Sequence, residues 1–163
     1  MALTGKKAVV TGGGTGIGLA IAQVLAMQGC RVAITGRREE VLNEACKSFG
    51  GICVKMDVAD EVSVVNGMQH IADQFGGIDI CIANAGIAEG QNIRNSNFEF
   101  WRKIMAINLD GAYLTIRESL RHMQMKDWGR IIAISSIAGV RGLKGAHAYS
   151  ASKHGVIGMI RSL

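Results

Sequence analysis

Five short apolar runs punctuate the chain: Lys7–Thr11, Arg31–Thr35, Ile52–Met56, Ile78–Ala83 and Arg130–Ser135. Each is long enough for a strand and too short for a helix. Between them lie helical patterns at about 17–28, 38–49, 61–75 and 99–125. The second mixes Arg, Glu, Leu, Asn and Lys as a half-exposed helix does. Near-continuous apolar strands alternating with helices predict a parallel sheet, buried on both faces. No repeat, low-complexity tract or linker interrupts the pattern. The expected fold is one doubly wound α/β domain over residues 1–163.

Composition narrows the class. At 163 residues, 48% hydrophobic and 19% charged, the chain can bury a sizeable core and is not disordered. Twenty-two glycines without a proline imply tight turns and close backbone approaches between unbroken elements. The net charge of +5 comes from scattered residues such as Lys6, Arg37, Arg102 and Arg130, with no run and no interleaved aromatics. That suits a small anionic ligand better than nucleic acid.

Cys30, Cys46, Cys53 and Cys81 form no C-x-x-C pair and lie among apolar residues. They read as buried free thiols, and no ligand cluster suggests a metal. Together with the lack of an apolar leader core, they point to a soluble, cytoplasmic protein. The uncharged stretch Ala8–Cys30 carries five glycines between Gly12 and Gly18, so it reads as strand, loop and helix and not as a membrane span.

The segment "AVVTGGGTGIGLAIAQVL" is that strand, turn and helix. Gly12, Gly16 and Gly18 let the backbone turn sharply and approach a pyrophosphate, whose charge meets the helix N-terminus. A glycine triplet alone is a common turn; the strand before it and the helix after it mark a dinucleotide site. The second strand ends "TGRREE". A domain built for NAD(H) places a carboxylate there to accept from ribose hydroxyls. Here Gly36 is followed by Arg37 and Arg38, and a guanidinium pairs well with a 2′-phosphate. Two arginines at a helix start are disfavoured by the dipole, which argues against a purely solvating role. The expected cofactor is NADP(H) in preference to NAD(H).

Thr-Gly-x-x-x-Gly-x-Gly, Asn-Ala-Gly after the fourth strand, serines after the fifth and Tyr-x-x-x-Lys at the end resemble the short-chain dehydrogenase/reductase family. The resemblance is to its shorter, single-domain branch of 3-oxoacyl reductase-like ketoreductases. It covers essentially the whole chain and implies a Rossmann-like sheet of order 3-2-1-4-5. It also implies cofactor contacts from Gly12, Gly14, Thr15, Gly16, Ile17 and Gly18 in the loop. Arg37, Asp57, Val58, Asn84, Ala85 and Gly86 follow at the next strand ends, with Asp57 and Val58 flanking the adenine ring. Two departures stand out. Many NADP-using relatives carry a basic residue inside the loop, where this chain has Gly14 and Thr15. The first asparagine of the family's Asn-Asn-Ala-Gly is Ala83.

Tyr149 and Lys153, four residues apart, share one helix face. A cation beside a tyrosine favours the phenolate, which otherwise forms only near pH 10. Such a tyrosine can protonate a carbonyl oxygen or deprotonate an alcohol. By itself the pair is common on helix surfaces. Ser136 strengthens it: the resemblance places the substrate-holding serine thirteen residues before the tyrosine, which selects Ser136 over Ser135. Asn108 falls in the apolar stripe of Trp101, Ile104, Met105, Ala112 and Ile116, where an amide is costly unless hydrogen-bonded. The resemblance gives it a water that relays protons to Lys153, and gives Lys153 the nicotinamide ribose. His147 and His154 read as loop and helix-surface residues.

Residues 137–147 should line the pocket of a small carbonyl or alcohol substrate. Arg141 and Lys144 there are either solvated loop charges or contacts for an anionic carrier. Relatives pair through the two helices bearing Asn108 and Tyr149, which implies a homodimer or homotetramer, with Tyr113, Val156 and Met159 expected at the contact. Family members continue past the tyrosine helix with two more strands, so the chain reads as truncated after its catalytic helix. The alternative to an oxidoreductase is a silent dinucleotide-binding protein or subunit, and the intact set Asn108, Ser136, Tyr149 and Lys153 separates the two.

Overall fold

The computed structural model describes residues 3–123 and 128–163. The apolar runs form β1 (Lys7–Thr11), β2 (Arg31–Gly36), β3 (Ile52–Lys55), β4 (Ile80–Ala83) and β5 (Arg130–Ala133). All pair in parallel, in the order β3-β2-β1-β4-β5. The expected doubly wound, Rossmann-like sheet is therefore the observed one. Between the strands lie α1 (Gly16–Met27), α2 (Glu39–Lys47), α3 (Glu61–Phe75), α4 (Phe98–Met105), α5 (Gly111–His122) and α6 (His147–Arg161).

The two faces of the sheet carry separate cores. In β1, Val9 joins a cluster with Met68 and Ile71 of α3 and Val156 of α6, while Ala8 and Val10 join Ala22 of α1 and Leu42 of α2. Every interior position of β1 is thus buried, which is why the strand reads as a continuous apolar run. Burial fails at the edges: β3 and β5 are partly exposed, Ile132 being 46% accessible. Only inner strands have neighbours on both sides, which corrects the expectation of uniformly buried strands.

Two helix starts follow capping chemistry. Asp60 accepts from the Ser63 N–H at the start of α3, and Asn97 from the Phe100 N–H at the start of α4. The single helix expected over 99–125 is instead α4, a π-helical segment Ala106–Asp110, and α5. Residues 124 and 125 of that expectation lie outside the described residues. A π turn inserts a residue and changes which side chains face inward. Of its five residues, Asn108 is the buried one.

Three further readings are revised. Val156 packs in the core at 2% exposure, so it offers nothing to a partner, whereas Tyr113 is half exposed. His147 is not a loop residue: it opens α6, with its ring stacked 6.3 Å from Trp101. Cys46 and Cys81 are buried, but Cys30 and Cys53 are only partly so. Burial pushes the Cys81 thiol up to about 11, and burial aided by Cys53 pushes Cys46 up to about 12. Both are inert thiols near neutral pH. Among the described residues, no helix is long and apolar enough to cross a membrane, and no residue cluster could hold a metal ion.

Gly111 opens α5 directly against Val58, and a Cβ there would stand 2.9 Å from the Val58 Cβ. Gly111 cannot retreat without shifting α5. Gly111→Ala should therefore cost about 1–3 kcal/mol of overpacking, lowering Tm by roughly 3–10 °C. Thermal unfolding of the variant checks this, and an unchanged Tm would refute the tight contact.

Candidate active site

β1 and β4 are neighbours at the centre of the sheet, and their following loops part toward opposite faces. The crevice this opens, beyond the carboxyl ends of the strands, is where open α/β sheets bind ligands. Here it is a cavity of about 490 Å³. Thr11, the last residue of β1, holds the two rims together. Its Oγ1 accepts from the Asn84 and Ala85 N–H groups, both at 3.1 Å, and Asn84 Nδ2 donates to the Thr11 carbonyl at 2.9 Å.

Two glycines are forced by this geometry. Gly12 has φ 65, and a Cβ on it would meet Ala85 Cα at 3.0 Å. A Cβ on Gly18 would run into the Gly12 carbonyl oxygen and lie 2.6 Å from Asn84 Nδ2. The loop consequently lies flat against the end of β4 and leads into α1. Thr15, the N-cap, makes no side-chain cap bond, and the first turn holds no acidic residue. The N–H groups of that helix end are free for an anion, with the dipole in support.

The cavity runs from this loop in both directions. On one side it reaches Arg37 and Arg38 at the end of β2, then Asp57 and Val58 after β3. Neither arginine is ion-paired among the described residues. Asp57 turns its carboxylate onto its own backbone, accepting from the Ala59 N–H at 3.0 Å. On the other side lie Asn84, Ala85, Gly86 and, from α6, Tyr149 and Lys153. Every residue expected to touch a dinucleotide, Gly14, Thr15, Gly16 and Ile17 included, lines this one cavity.

Lys153 is 5% exposed; its Nζ donates to the Ile134 carbonyl at 2.7 Å and sits 5.9 Å from the centre of the Tyr149 ring. Burial holds its pKa below the ordinary lysine value. Asn108 is buried behind the lining. Its Oδ1 accepts from the Ile87 N–H (2.8 Å), and its Nδ2 donates to the Ile87 carbonyl (2.9 Å) and to Ser152 Oγ (3.2 Å). Ser152 in turn donates to the Tyr149 carbonyl at 2.8 Å. Asn108 thereby clamps the loop after β4 to α6. Both its N–H protons are committed, so its NH2 group cannot also donate to a relay water.

The serines divide. Ser135, not Ser136, lines the cavity, yet the Ser135 hydroxyl donates to the Lys153 carbonyl at 3.1 Å. Ser136 Oγ accepts from the Ala138 N–H at 3.2 Å and caps a short 3₁₀ turn. That bond uses a lone pair and leaves the Ser136 O–H without an acceptor among the described residues. Of the two, Ser136 can still donate to a substrate oxygen. Thr11, Ser152 and the Ile87 backbone are functional parts that sequence reasoning missed. Thr11 carried a signal, as a buried polar residue ending an apolar strand.

The fold and cavity define a Rossmann-like domain with a prepared anion site and a Tyr–Lys pair on one wall. The model of the short-chain dehydrogenase family matches residues 6–163, and the chain belongs to that family. It is 39% identical over 165 residues to the NADP-dependent (R)-specific alcohol dehydrogenase of Lentilactobacillus kefiri, covering 98% of this chain and 66% of the relative. It is 38% identical over 167 residues to the 3-oxoacyl-(acyl-carrier-protein) reductase FabG of Aquifex aeolicus, covering 99% and 67%. The crystal structure of gox2181 superposes with a TM-score of 0.94 at 34% identity, covering 98% of this chain and 65% of that one. The chain spans about two thirds of the length of these relatives.

The lowered pKa of Lys153 has a signed consequence. As pH rises, the folded state loses this proton before the unfolded state does, so the burial penalty is full below the lowered pKa and relieved toward 10.5. Measured against Lys153→Met, the stability of the wild type should rise between pH 7 and pH 10. Urea midpoints of the two proteins across that range test it, and a flat or falling difference would contradict it.

Proposed function

We propose that the chain is an NADP(H)-dependent oxidoreductase that interconverts a ketone, such as a 3-oxoacyl thioester, and a secondary alcohol. The observation that carries this is the shared wall. Tyr149 and Lys153 face the same cavity as the glycine turn and the unpaired arginines. The residues fit a dinucleotide phosphate. The helix end has free N–H groups, and the backbone around Gly12 and Gly18 closes where any side chain would intrude. When bound, the reduced nicotinamide supplies a hydride to the carbonyl carbon.

This chain's residues do the rest. Ser136 donates its free hydroxyl hydrogen to the substrate oxygen and holds it. Tyr149 delivers its phenolic proton to that oxygen, and accepts a proton from the alcohol in the reverse direction. Lys153 stabilises the charge left on the phenolate oxygen, its Nζ being oriented by the Ile134 carbonyl. Asn108 is a positioning residue: it fixes Ile87 and, through Ser152, the turn of α6 that carries Tyr149. Arg37, with Arg38 beside it, favours the 2′-phosphate. The name of the L. kefiri relative, NADP-dependent, supports that preference. A homodimer or homotetramer through the α4–α5 surface, where Tyr113 and Leu120 are exposed, is part of the same reading. A silent binding protein has no use for the complete set of four polar groups.

Tyr149→Phe should lower kcat for NADPH-dependent ketone reduction by about 10²–10⁴-fold while leaving the NADPH Kd within about twofold. Steady-state assays with ketones and oxoacyl thioesters, beside fluorescence titration of NADPH, test this; equal rates would defeat the assignment. Arg37→Ala should weaken NADPH by roughly tenfold and NADH hardly at all, as expected for one lost charge-assisted pair. An equal loss for both cofactors would remove Arg37 from the phosphate site.

A further inference from the structure

Lys153 is held at both ends by consecutive residues that follow β5. Its Nζ donates to the Ile134 carbonyl at 2.7 Å, and its own carbonyl accepts from the Ser135 hydroxyl at 3.1 Å. Lysine carries its charge on a flexible four-carbon stem, so fixing one end alone leaves that charge free to swing. A carbonyl oxygen has two lone pairs. Inside α6 the Lys153 carbonyl uses one on the N–H four residues on, and Ser135 takes the other. The Ser135 hydroxyl hydrogen is thereby committed to the helix, although the residue lines the cavity.

The turn after Ser135 is shaped around this bond. Ser136 caps the short 3₁₀ turn Ile137–Gly139, whose last residue is buried against α6. A Cβ built on Gly139 would lie 2.5 Å from Ser135 Oγ, 2.8 Å from the Lys153 carbonyl oxygen and 2.9 Å from Ile157 Cδ1. The first two of those atoms are the donor and the acceptor of the 3.1 Å bond. A methyl group there would stand against the bond itself. Gly139 is not in the left-handed region, so it is space and not backbone conformation that demands glycine.

We infer that Ser135 is a positioning residue for Lys153, and that Gly139 is the residue that leaves room for their bond. With the Ile134 carbonyl they hold the ammonium group beside Tyr149, 5.9 Å from the centre of its ring. Ile134 is the one acceptor of Lys153 Nζ among the described residues, so two of its three N–H groups are left for the tyrosine oxygen and a ligand. Ser135 gives no proton to the substrate; it acts through Lys153. The inference rests on the oxidoreductase reading for what Lys153 does, and adds what keeps Lys153 in place.

Ser135→Ala removes the hydroxyl and little volume. It should lower kcat for NADPH-dependent ketone reduction about tenfold, with the ketone KM within about twofold, as for a slightly misplaced reacting group. In a Lys153→Met background the same substitution should change kcat by less than about twofold, because the ammonium it positions is gone. A purely structural serine would cost the same factor in both backgrounds. Gly139→Ala should lower kcat at least as much, and adding Ser135→Ala to it should bring no further loss. Hydrogen–deuterium exchange supplies a readout free of turnover: amides of residues 149–157 should exchange about fivefold faster in Ser135→Ala, as for one net hydrogen bond lost. Undiminished kcat in Ser135→Ala, a tenfold loss that persists without the Lys153 ammonium, or unchanged exchange in α6 would each overturn the inference. If Gly139→Ala does not fold, Ser135→Ala decides. Faster exchange in a chain that reduces no ketone would leave the clamp standing and remove the oxidoreductase reading. Full turnover by Ser135→Ala would do the opposite.

Discussion

The site depends on one constraint: where β1 and β4 separate, backbone groups at the centre of the sheet lose their strand partners. Buried N–H and C=O groups must be paired, and here no further strand residue can pair them. Thr11 and Asn84 meet that demand, the hydroxyl accepting from two N–H groups and the amide donating back to the Thr11 carbonyl. Because those bonds hold the two rims at a set distance, Gly12 and Gly18 have no room for a side chain. The open N-terminal end of α1 is thus a by-product of closing the sheet's central split.

A second clamp sets the other half of the cavity. The π turn at Ala106–Asp110 leaves Asn108 buried, in reach of the Ile87 backbone and Ser152. An uninterrupted α-helix would place that position differently relative to α5 and α6. Through Ser152 and the Tyr149 carbonyl, the clamp extends to the helix that carries the Tyr–Lys pair. Lys153 closes the circuit by donating to Ile134, just after β5, while Ser135 donates back to the Lys153 carbonyl. The two bonds run in opposite directions between the same two elements. They lock the height of α6 over the sheet, and with it the wall on which Tyr149 sits.

Much of this was legible in the sequence because its causes are local. Apolar runs of strand length, glycines at tight approaches and a four-residue Tyr–Lys spacing are each written within a few residues. The residues expected to touch a dinucleotide, from Gly12 to Gly86, came from such local motifs and the family resemblance they carry, and all of them line one cavity. The misses have the opposite character. The break in the expected helix 99–125 comes from packing on Ile87 and Ser152, about 21 and 44 residues away. Val156 was misplaced as exposed because helix periodicity gives a stripe without saying what covers it. His147 was taken for a loop residue because its partners, Trp101 and Ser96, lie in a different part of the chain.

By itself, then, the sequence determined the order of elements, the parallel sheet and the chemical types gathered at the strand ends. Those follow from burial and backbone sterics acting over short stretches. Only the tertiary structure decided which polar groups are already committed and which remain free. Ser135 and Ser136 are adjacent and identical in type, yet one donates to Lys153 and the other keeps its hydroxyl hydrogen available. Gln91 and His147 are 56 residues apart in sequence, yet both line one cavity between two loops. A hydrogen bond needs its partner within about 3 Å, and for these residues only the folded chain sets that distance.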